Sequence, residues 1–284
     1  MSLAAVSTSA TSPESRVPPA AIMAYRRSGF VRGPQVLDSA QIEHLKAEVL
    51  RVIDNRDNAS QAQPVLCRTM GGESCAHSPV WQVVNIWQAS PAFEAVVRSP
   101  LLASWAGALA GAKQLKVWHD QIQYKPAQVG GETSWHQDSP LWPTLEPRDS
   151  MISAWIALDD AGPDNGCMSM VPGSHLWGDQ QRMLSQVPAF TALPEVFDRH
   201  AVHPVVCAVP AGCVHFHHPL TWHGSPVNTS GRPRRALAIH YATEQACFRQ
   251  DANHVMKRFV TSGPGEPLAG APFIEVMGGL RPRT

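Results

Sequence analysis

Apolar and polar residues alternate in a series of short stretches that lie mostly between residues 80 and 245. A two-residue period is that of a strand with one face turned to a core. It predicts strands at 80–87, 116–124, 152–158, 168–171, 205–209, 214–218 and 236–242, preceded by a short one at Gly29-Phe30-Val31. Within 116–124 the alternation puts Val117, His119, Gln121 and Gln123 on one face and Trp118, Ile122 and Tyr124 on the other. Turn-forming runs separate the strands, among them Gly130-Gly131, Gly162-Pro163-Asp164-Asn165-Gly166 and Pro172-Gly173. Helical spacing occurs earlier. Ile42, Leu45, Val49, Val52 and Ile53 follow it behind a capping Asp38 or Ser39, and 91–109 follows it with a break at Pro100. Many short strands with turn signals between them predict an all-β core with flanking helices.

Other segments have no period. Residues 1–20, rich in Ser, Ala, Thr and Pro, predict a mobile tail, which leaves 21–284 as one domain. Residues 55–78 predict a long loop and 176–200 a partly helical insertion between strands; beyond Gln250 the chain is expected to wrap the surface.

Composition narrows the function. Apolar residues make up 44 % of the 284 and charged residues 16 %, enough for a core and too little charge for disorder. The 23 basic and 23 acidic side chains balance, so nothing marks the chain for nucleic acid or an anionic membrane. Cys67, Cys75, Cys167, Cys207, Cys213 and Cys247 include no C-x-x-C pair and are expected to be reduced thiols. Met1 to Ala10 show no signal-peptide pattern and no long apolar run follows, so a cytoplasmic protein is expected, its oligomeric state open.

The chemistry concentrates in Ser134-Trp135-His136-Gln137-Asp138. On an extended strand His136 and Asp138 share a face and can hold one ion together. His223, in Thr221-Trp222-His223-Gly224-Ser225, offers a third ligand. Two histidines and one carboxylate suit non-haem Fe(II) with open positions, although zinc or a plain hydrogen-bonded triad uses the same residues. Arg234 tips the balance, because its guanidinium can clamp the far end of a dicarboxylate. Other histidines read differently. His119 and Asp120 point to opposite faces of a strand, so His119 is expected to pack or line a pocket; of His215, His217 and His218, His217 is the one expected to approach the site. The half-buried strand 80–87 is expected to turn the amides of Gln82 and Asn85 to solvent or to a pocket.

Taken in order, His136-Gln137-Asp138, Trp155, Asn165-Gly166-Cys167-Met168, Val171-Pro172-Gly173-Ser174-His175, His223-Gly224-Ser225 and Arg234-Arg235-Ala236-Leu237 resemble the phytanoyl-CoA dioxygenase family over about residues 20 to 260. The resemblance implies a double-stranded β-helix (jelly-roll, cupin-like), with Fe(II) on His136, Asp138 and His223. It implies 2-oxoglutarate bound by Arg234, Ser225, Trp155 and Gln121, and O2 as oxidant, with succinate and CO2 as co-products. Gln82, Asn85, His119, Gln137, Trp142 and His217 are then candidates for the substrate pocket, and Trp81, Trp87, Trp135 and Leu141 with Trp142 suggest a small, partly apolar substrate. Hydroxylation is the expected outcome. Desaturation or ring closure, and a non-catalytic cupin-like binding protein, are the alternatives. Asp138 disfavours halogenation, since related halogenases carry a small residue in place of the carboxylate. Cys213 departs from the family, which usually has an acidic residue there, and no basic cluster marks an acyl-CoA.

Overall fold

The structure, a computed structural model, describes residues 17–70 and 79–278. Four helices come first or interleave with the first strands: α1 (Pro19–Ser28), β1 (Phe30–Gln35), α2 (Ser39–Asp54), β2 (Leu66–Thr69), β3 (Trp81–Val84), α3 (Pro91–Val97) and α4 (Pro100–Ala110). Then follow β4 (Leu115–Lys125), β5 (Thr133–His136), α5 (Asp138–Leu141), β6 (Leu145–Glu146), β7 (Met151–Ala157) and β8 (Met168–Met170). The last part holds α6 (Gln181–Leu184), β9 (Val196–Phe197), β10 (His200–Ala201), β11 (Val205–Cys207), β12 (Cys213–His217), β13 (His223–Ser225), β14 (Arg234–Thr243), β15 (Cys247–Phe248) and β16 (Glu275–Met277).

The larger sheet runs β1-β12-β7-β14-β4-β3-β2, with β16 also paired to β4, and the smaller runs β11-β8-β13-β5. Together they form the expected double-stranded β-helix. Alternation on the long strands decides what each face does. Ile152, Ala154 and Ile156 of β7, Val214 and Phe216 of β12, and Leu237, Ile239 and Tyr241 of β14 join one core with α1 to α4. The opposite face carries Ser153, Trp155, His215, His217, Ala238 and His240, and it points between the sheets. One face is packing and the other is the site. α2 holds its place through a reciprocal cap: the Asp38 carboxylate accepts from the Gln41 backbone N–H at 2.8 Å, and the Gln41 side chain accepts from the Asp38 N–H at 2.9 Å.

Several expectations need correction. Helix α1 begins at Pro19, inside the stretch read as a tail; Pro19 occupies the first turn, where proline costs no hydrogen bond, and Gly29 closes the helix at φ 83°. Residues 1–16 lie outside the described residues. The loop expected at 55–78 contains β2, paired antiparallel to β3, and residues 71–78 also lie outside the described residues. The insertion at 176–200 includes α6 and reaches into the β9–β10 hairpin. The C-terminal stretch adds β16 to the sheet as well as covering the surface. In β4 the alternation slips: His240 pairs with His119 but Tyr241 pairs with Val117, a bulge that leaves Trp118 unopposed. Val117 therefore packs on the helix side with Ile122, while Trp118 and His119 both meet His254 on the other side.

Candidate metal centre

β5 and β13 pair antiparallel with His136 opposite His223, which brings the two rings to 4.0 Å between centroids. Asp138 is not on the strand with His136. β5 ends at His136, Gln137 is extended, and Asp138 opens the short helix α5, so the carboxylate enters from a helix start. The three side chains still converge. Asp138 Oδ1 lies 3.9 Å from His136 Nε2 and 3.5 Å from His223 Nε2, and ligand atoms of all three residues fall within 4.8 Å of one another.

The donor set fits a metal ion by its hydrogen bonding. His136 Nδ1 donates to the Ser134 carbonyl at 2.8 Å, and His223 Nδ1 donates to the Thr221 carbonyl at 2.9 Å. Each proton is thereby fixed on Nδ1, leaving a lone pair on Nε2 facing Asp138. The carboxylate is prepared in the same way. Its Oδ2 accepts from Ser153 Oγ at 2.7 Å and from His217 Nε2 at 2.9 Å, which leaves Oδ1 for an ion. Burial pushes the Asp138 carboxyl up, but His223 and His217 outweigh it and hold the group well below the ordinary carboxylate range. Burial, with His136 beside it, holds His223 far down and therefore neutral. His217 thus approaches the site as expected, as a partner of the carboxylate.

Two cavities meet at this triad. A narrow one is bounded by the triad, His217, His240, Trp155, Gln123, Met168, Ala238 and Ser225. Gln121, expected beside the co-substrate, does not line it. Gln123, one pleat on, does, and accepts a hydrogen bond from Trp155 Nε1 at 3.4 Å. Arg234 lies one layer behind the wall, its guanidinium carbon 5.6 Å from the centre of the Trp155 ring, donating to the carbonyls of Gly166 and Gln123 at 3.1 Å each. Burial brings it down to about 10, so it stays charged. Arg232 and Arg235 are taken up elsewhere, by Asp164 and Asp159.

The wide cavity, of about 1060 Å³, opens from the triad toward Gln82, Gln121, His119, Trp142, Trp135, Leu141 and His254. Gln82, His119 and Trp142 are placed there as expected. Asn85 and Gln137 are not. Asn85 is wholly buried at φ 55°, where it ends β3 and accepts from the Asp120 N–H. Gln137 points away from the cavity: its amide donates to the carbonyls of Gly178 and Leu220 and accepts from the Gln180 N–H, while Gln181 accepts from the Gln137 N–H. Trp81 and Trp87 pack against the helix-side core instead of the cavity.

The sequence reading passed over Lys125, Gln123, Ser153 and His240. Strand parity held the signal, because 121, 123 and 125 share a face of β4, and 234 through 240 share one of β14 at every second residue. Lys125 is fully buried and donates to the carbonyls of Ser225 and Pro226 at 3.2 and 2.5 Å, fixing the end of β13. Burial, then the neighbouring Arg234, pushes its ammonium down to about 6. The unfolded chain therefore holds this proton from about pH 6 to about pH 10.4 while the folded chain does not, and stability from this residue rises with pH. Chemical denaturation at pH 7, 8 and 9 should show the unfolding free energy of Lys125→Met, minus that of the native chain, falling by about 1 kcal/mol per pH unit. A difference independent of pH would mean that Lys125 stays charged.

Comparison with known proteins agrees with this geometry. The family model described as phytanoyl-CoA dioxygenase (PhyH) matches residues 25–236. The chain belongs to the phytanoyl-CoA dioxygenase family. It is therefore an iron- and 2-oxoglutarate-dependent oxygenase, and His136, Asp138 and His223 have the donor set that such a site requires. This family member is 27 % identical over 260 residues to the ectoine dioxygenase of Halomonas elongata, covering 85 % of the chain and 75 % of that protein. It is 32 % identical over 154 residues to phytanoyl-CoA dioxygenase domain-containing protein 1 of Bos taurus, covering 53 % of the chain and 52 % of that protein; the match thus spans about half the length of that relative. Among solved structures, the non-heme alpha ketoglutarate dependent carbocyclase SnoK from nogalamycin biosynthesis superposes with a TM-score of 0.76 at 28 % identity, over 95 % of this chain and all of that one. EctD from S. alaskensis, solved with 2-oxoglutarate and 5-hydroxyectoine, shares the fold at 19 % identity and a TM-score of 0.68 over 94 % of this chain and 89 % of that one. Among the described residues, no helix is long and apolar enough to cross a membrane.

Proposed function

We propose that this oxygenase hydroxylates an uncharged, partly apolar organic molecule larger than a free amino acid. The observation that carries the reading is the wide cavity beside a triad whose carboxylate is intact. A volume of about 1060 Å³ is at the upper end for sites that hold a drug-sized ligand, which leaves room for a substrate larger than a free amino acid. Leu66, Met70, Val84, Leu141 and Trp142 give the wall its apolar part, and amides and imidazoles supply hydrogen bonds. Among the described residues, Arg68 and Glu132 are the only ones of formal charge on it apart from Asp138, one of each sign. A single arginine balanced by a glutamate is not the basic cluster that a nucleotide phosphate calls for, which argues against an acyl-CoA.

Iron(II) with 2-oxoglutarate supplies the activation of O2: one oxygen atom goes into succinate, CO2 is released, and the other oxygen enters a substrate C–H bond. The residues do the rest. His136, Asp138 and His223 would hold the ion, and a carboxylate at 138 would disfavour halide binding. Trp155 and Ser225 on the wall of the narrow cavity, with Arg234 behind it, would orient the co-substrate. Trp135, Leu141 and Trp142 shape the wide one and exclude water, which keeps the substrate carbon in place. Likeness to a carbocyclase favours a second reading, in which two hydrogens are removed and a ring or double bond forms without oxygen entering the product.

Incubation with Fe(II), 2-oxoglutarate, 18-O2 and a panel of ring-bearing metabolites should give a product heavier by one labelled oxygen. A product lighter by two hydrogens and free of label would establish the second reading. A chlorinated product, or turnover without 2-oxoglutarate, would overturn both.

A further inference from the structure

Four polar side chains join the wall of the wide cavity to the ligand carboxylate, and their protons can be assigned from chemistry alone. Asp138 Oδ2 only accepts, so Ser153 Oγ, 2.7 Å away, gives it its single proton. Ser153 must then accept from His240 Nδ1, which lies 2.7 Å from it. A neutral imidazole with its proton on Nδ1 has only a lone pair on Nε2. Gln121 must therefore turn its NH2 group to His240 Nε2, at 3.2 Å, and its carbonyl oxygen receives the Gln82 NH2 group at 2.8 Å. Every bond in the series runs the same way.

Ser153, His240 and Gln121 are buried, at 0, 2 and 8 % exposure, and each bonds to the next. The series also spans the larger sheet, from β3 across β4 and β14 to β7. Gln82 and Gln121 line the wide cavity, whereas Ser153 touches the carboxylate. We propose that Gln82, Gln121, His240 and Ser153 form a one-way hydrogen-bond relay that positions Asp138 for the metal and ties its orientation to the cavity wall. None of the four is a catalytic residue; each is a positioning residue acting through the next. A molecule that bonds to Gln82 or Gln121 joins the same series. The inference rests on the assignment of Asp138 as a metal ligand.

A double-mutant cycle read on metal binding tests it. Apoprotein is titrated with Fe(II) anaerobically in the presence of 2-oxoglutarate, following the visible charge-transfer absorption of the iron chelate. Ser153→Ala should weaken Fe(II) binding about 10-fold and shift that absorption, the usual scale for partners of a metal ligand. Gln121→Met keeps the volume and removes both amide groups; it should weaken binding about 3-fold in the native chain and have no further effect in Ser153→Ala, because the relay is already cut. An equal effect of Gln121→Met in both backgrounds, or none in either, overturns the relay. Thermal melting of the apoproteins checks folding, and if Ser153→Ala does not fold, His240→Phe takes its place in the cycle with the same expectations. Asp138→Ala, measured alongside, keeps the two levels apart. If it binds Fe(II) as the native chain does, the metal assignment itself falls; if it loses binding while the cycle is additive, only the relay falls.

Discussion

A His223→Ala protein is expected to lose Fe(II) binding and 2-oxoglutarate decarboxylation together, with turnover down by more than about 100-fold, since changes to mere partners of metal ligands already cost about 10- to 100-fold. The loss should not come from unfolding. β13 pairs with β5 and β8 through main-chain groups that the substitution leaves in place, and the space vacated lies at the wall of an existing cavity. With His223 gone, His136 and Asp138 remain as two ligands, too few to outcompete water for a ferrous ion. The measurement is anaerobic Fe(II) titration and succinate formation beside a thermal melt. A variant that melts normally and still decarboxylates 2-oxoglutarate would remove His223 from the site.

Arg234→Met should separate the co-substrate from the metal. Losing a buried, charge-assisted contact to a carboxylate costs on the order of 2–5 kcal/mol, which corresponds to a rise of roughly 30-fold to several thousand-fold in the Kd for 2-oxoglutarate. Fe(II) binding in the absence of 2-oxoglutarate should change by less than about 3-fold, the methionine retaining a contact with the Trp155 face. The substitution also strips the Gly166 and Gln123 carbonyls of their donor, so a lower melting temperature is expected and does not bear on the assignment. The Nη2 of Arg234 makes no hydrogen bond among the described residues, and that donor is the one a carboxylate would take. Equal weakening of both ligands would place Arg234 in the fold and out of the co-substrate site.

The triad and the strands that present it were legible in the sequence because their signals are local. A histidine two residues before an aspartate, a histidine before glycine and an arginine opening an apolar alternation can each be read within a few residues. The larger sheet was legible for the same reason, since alternation on β7, β12 and β14 reports which face meets a core. What could not be read depends on distant partners. The bulge at Trp118 exists only against β14, so the face of Val117 was assigned wrongly from a regular alternation. Asp138 reached its place through a change from strand to helix at Gln137, where the sequence suggested one continuous strand. Asn85 and Gln137 carry side chains that suit a pocket, and only the packed structure shows that Asn85 is buried against the Asp120 backbone and that backbone groups take up the Gln137 amide. Pro18-Pro19 looked like a loose tail, although a proline in the first turn also starts a helix.

Gln137 has a consequence for remodelling the enzyme. Between the two ligands of the His136-Gln137-Asp138 segment stands a side chain whose hydrogen bonds reach Gly178 and Gln180, with Gln181 bonded back to its N–H, 41 to 44 residues downstream. The stretch around α6 also lends Gln181 and Ser185 to the wide cavity, which makes it a natural place to transplant a loop and change substrate preference. Such a graft has a fixed docking key. A donor segment that presents a backbone carbonyl and N–H where Gly178 and Gln180 now stand will seat without disturbing the ligands on either side of Gln137. One that lacks them sets the aspartate adrift, and an altered specificity then arrives with a weakened metal.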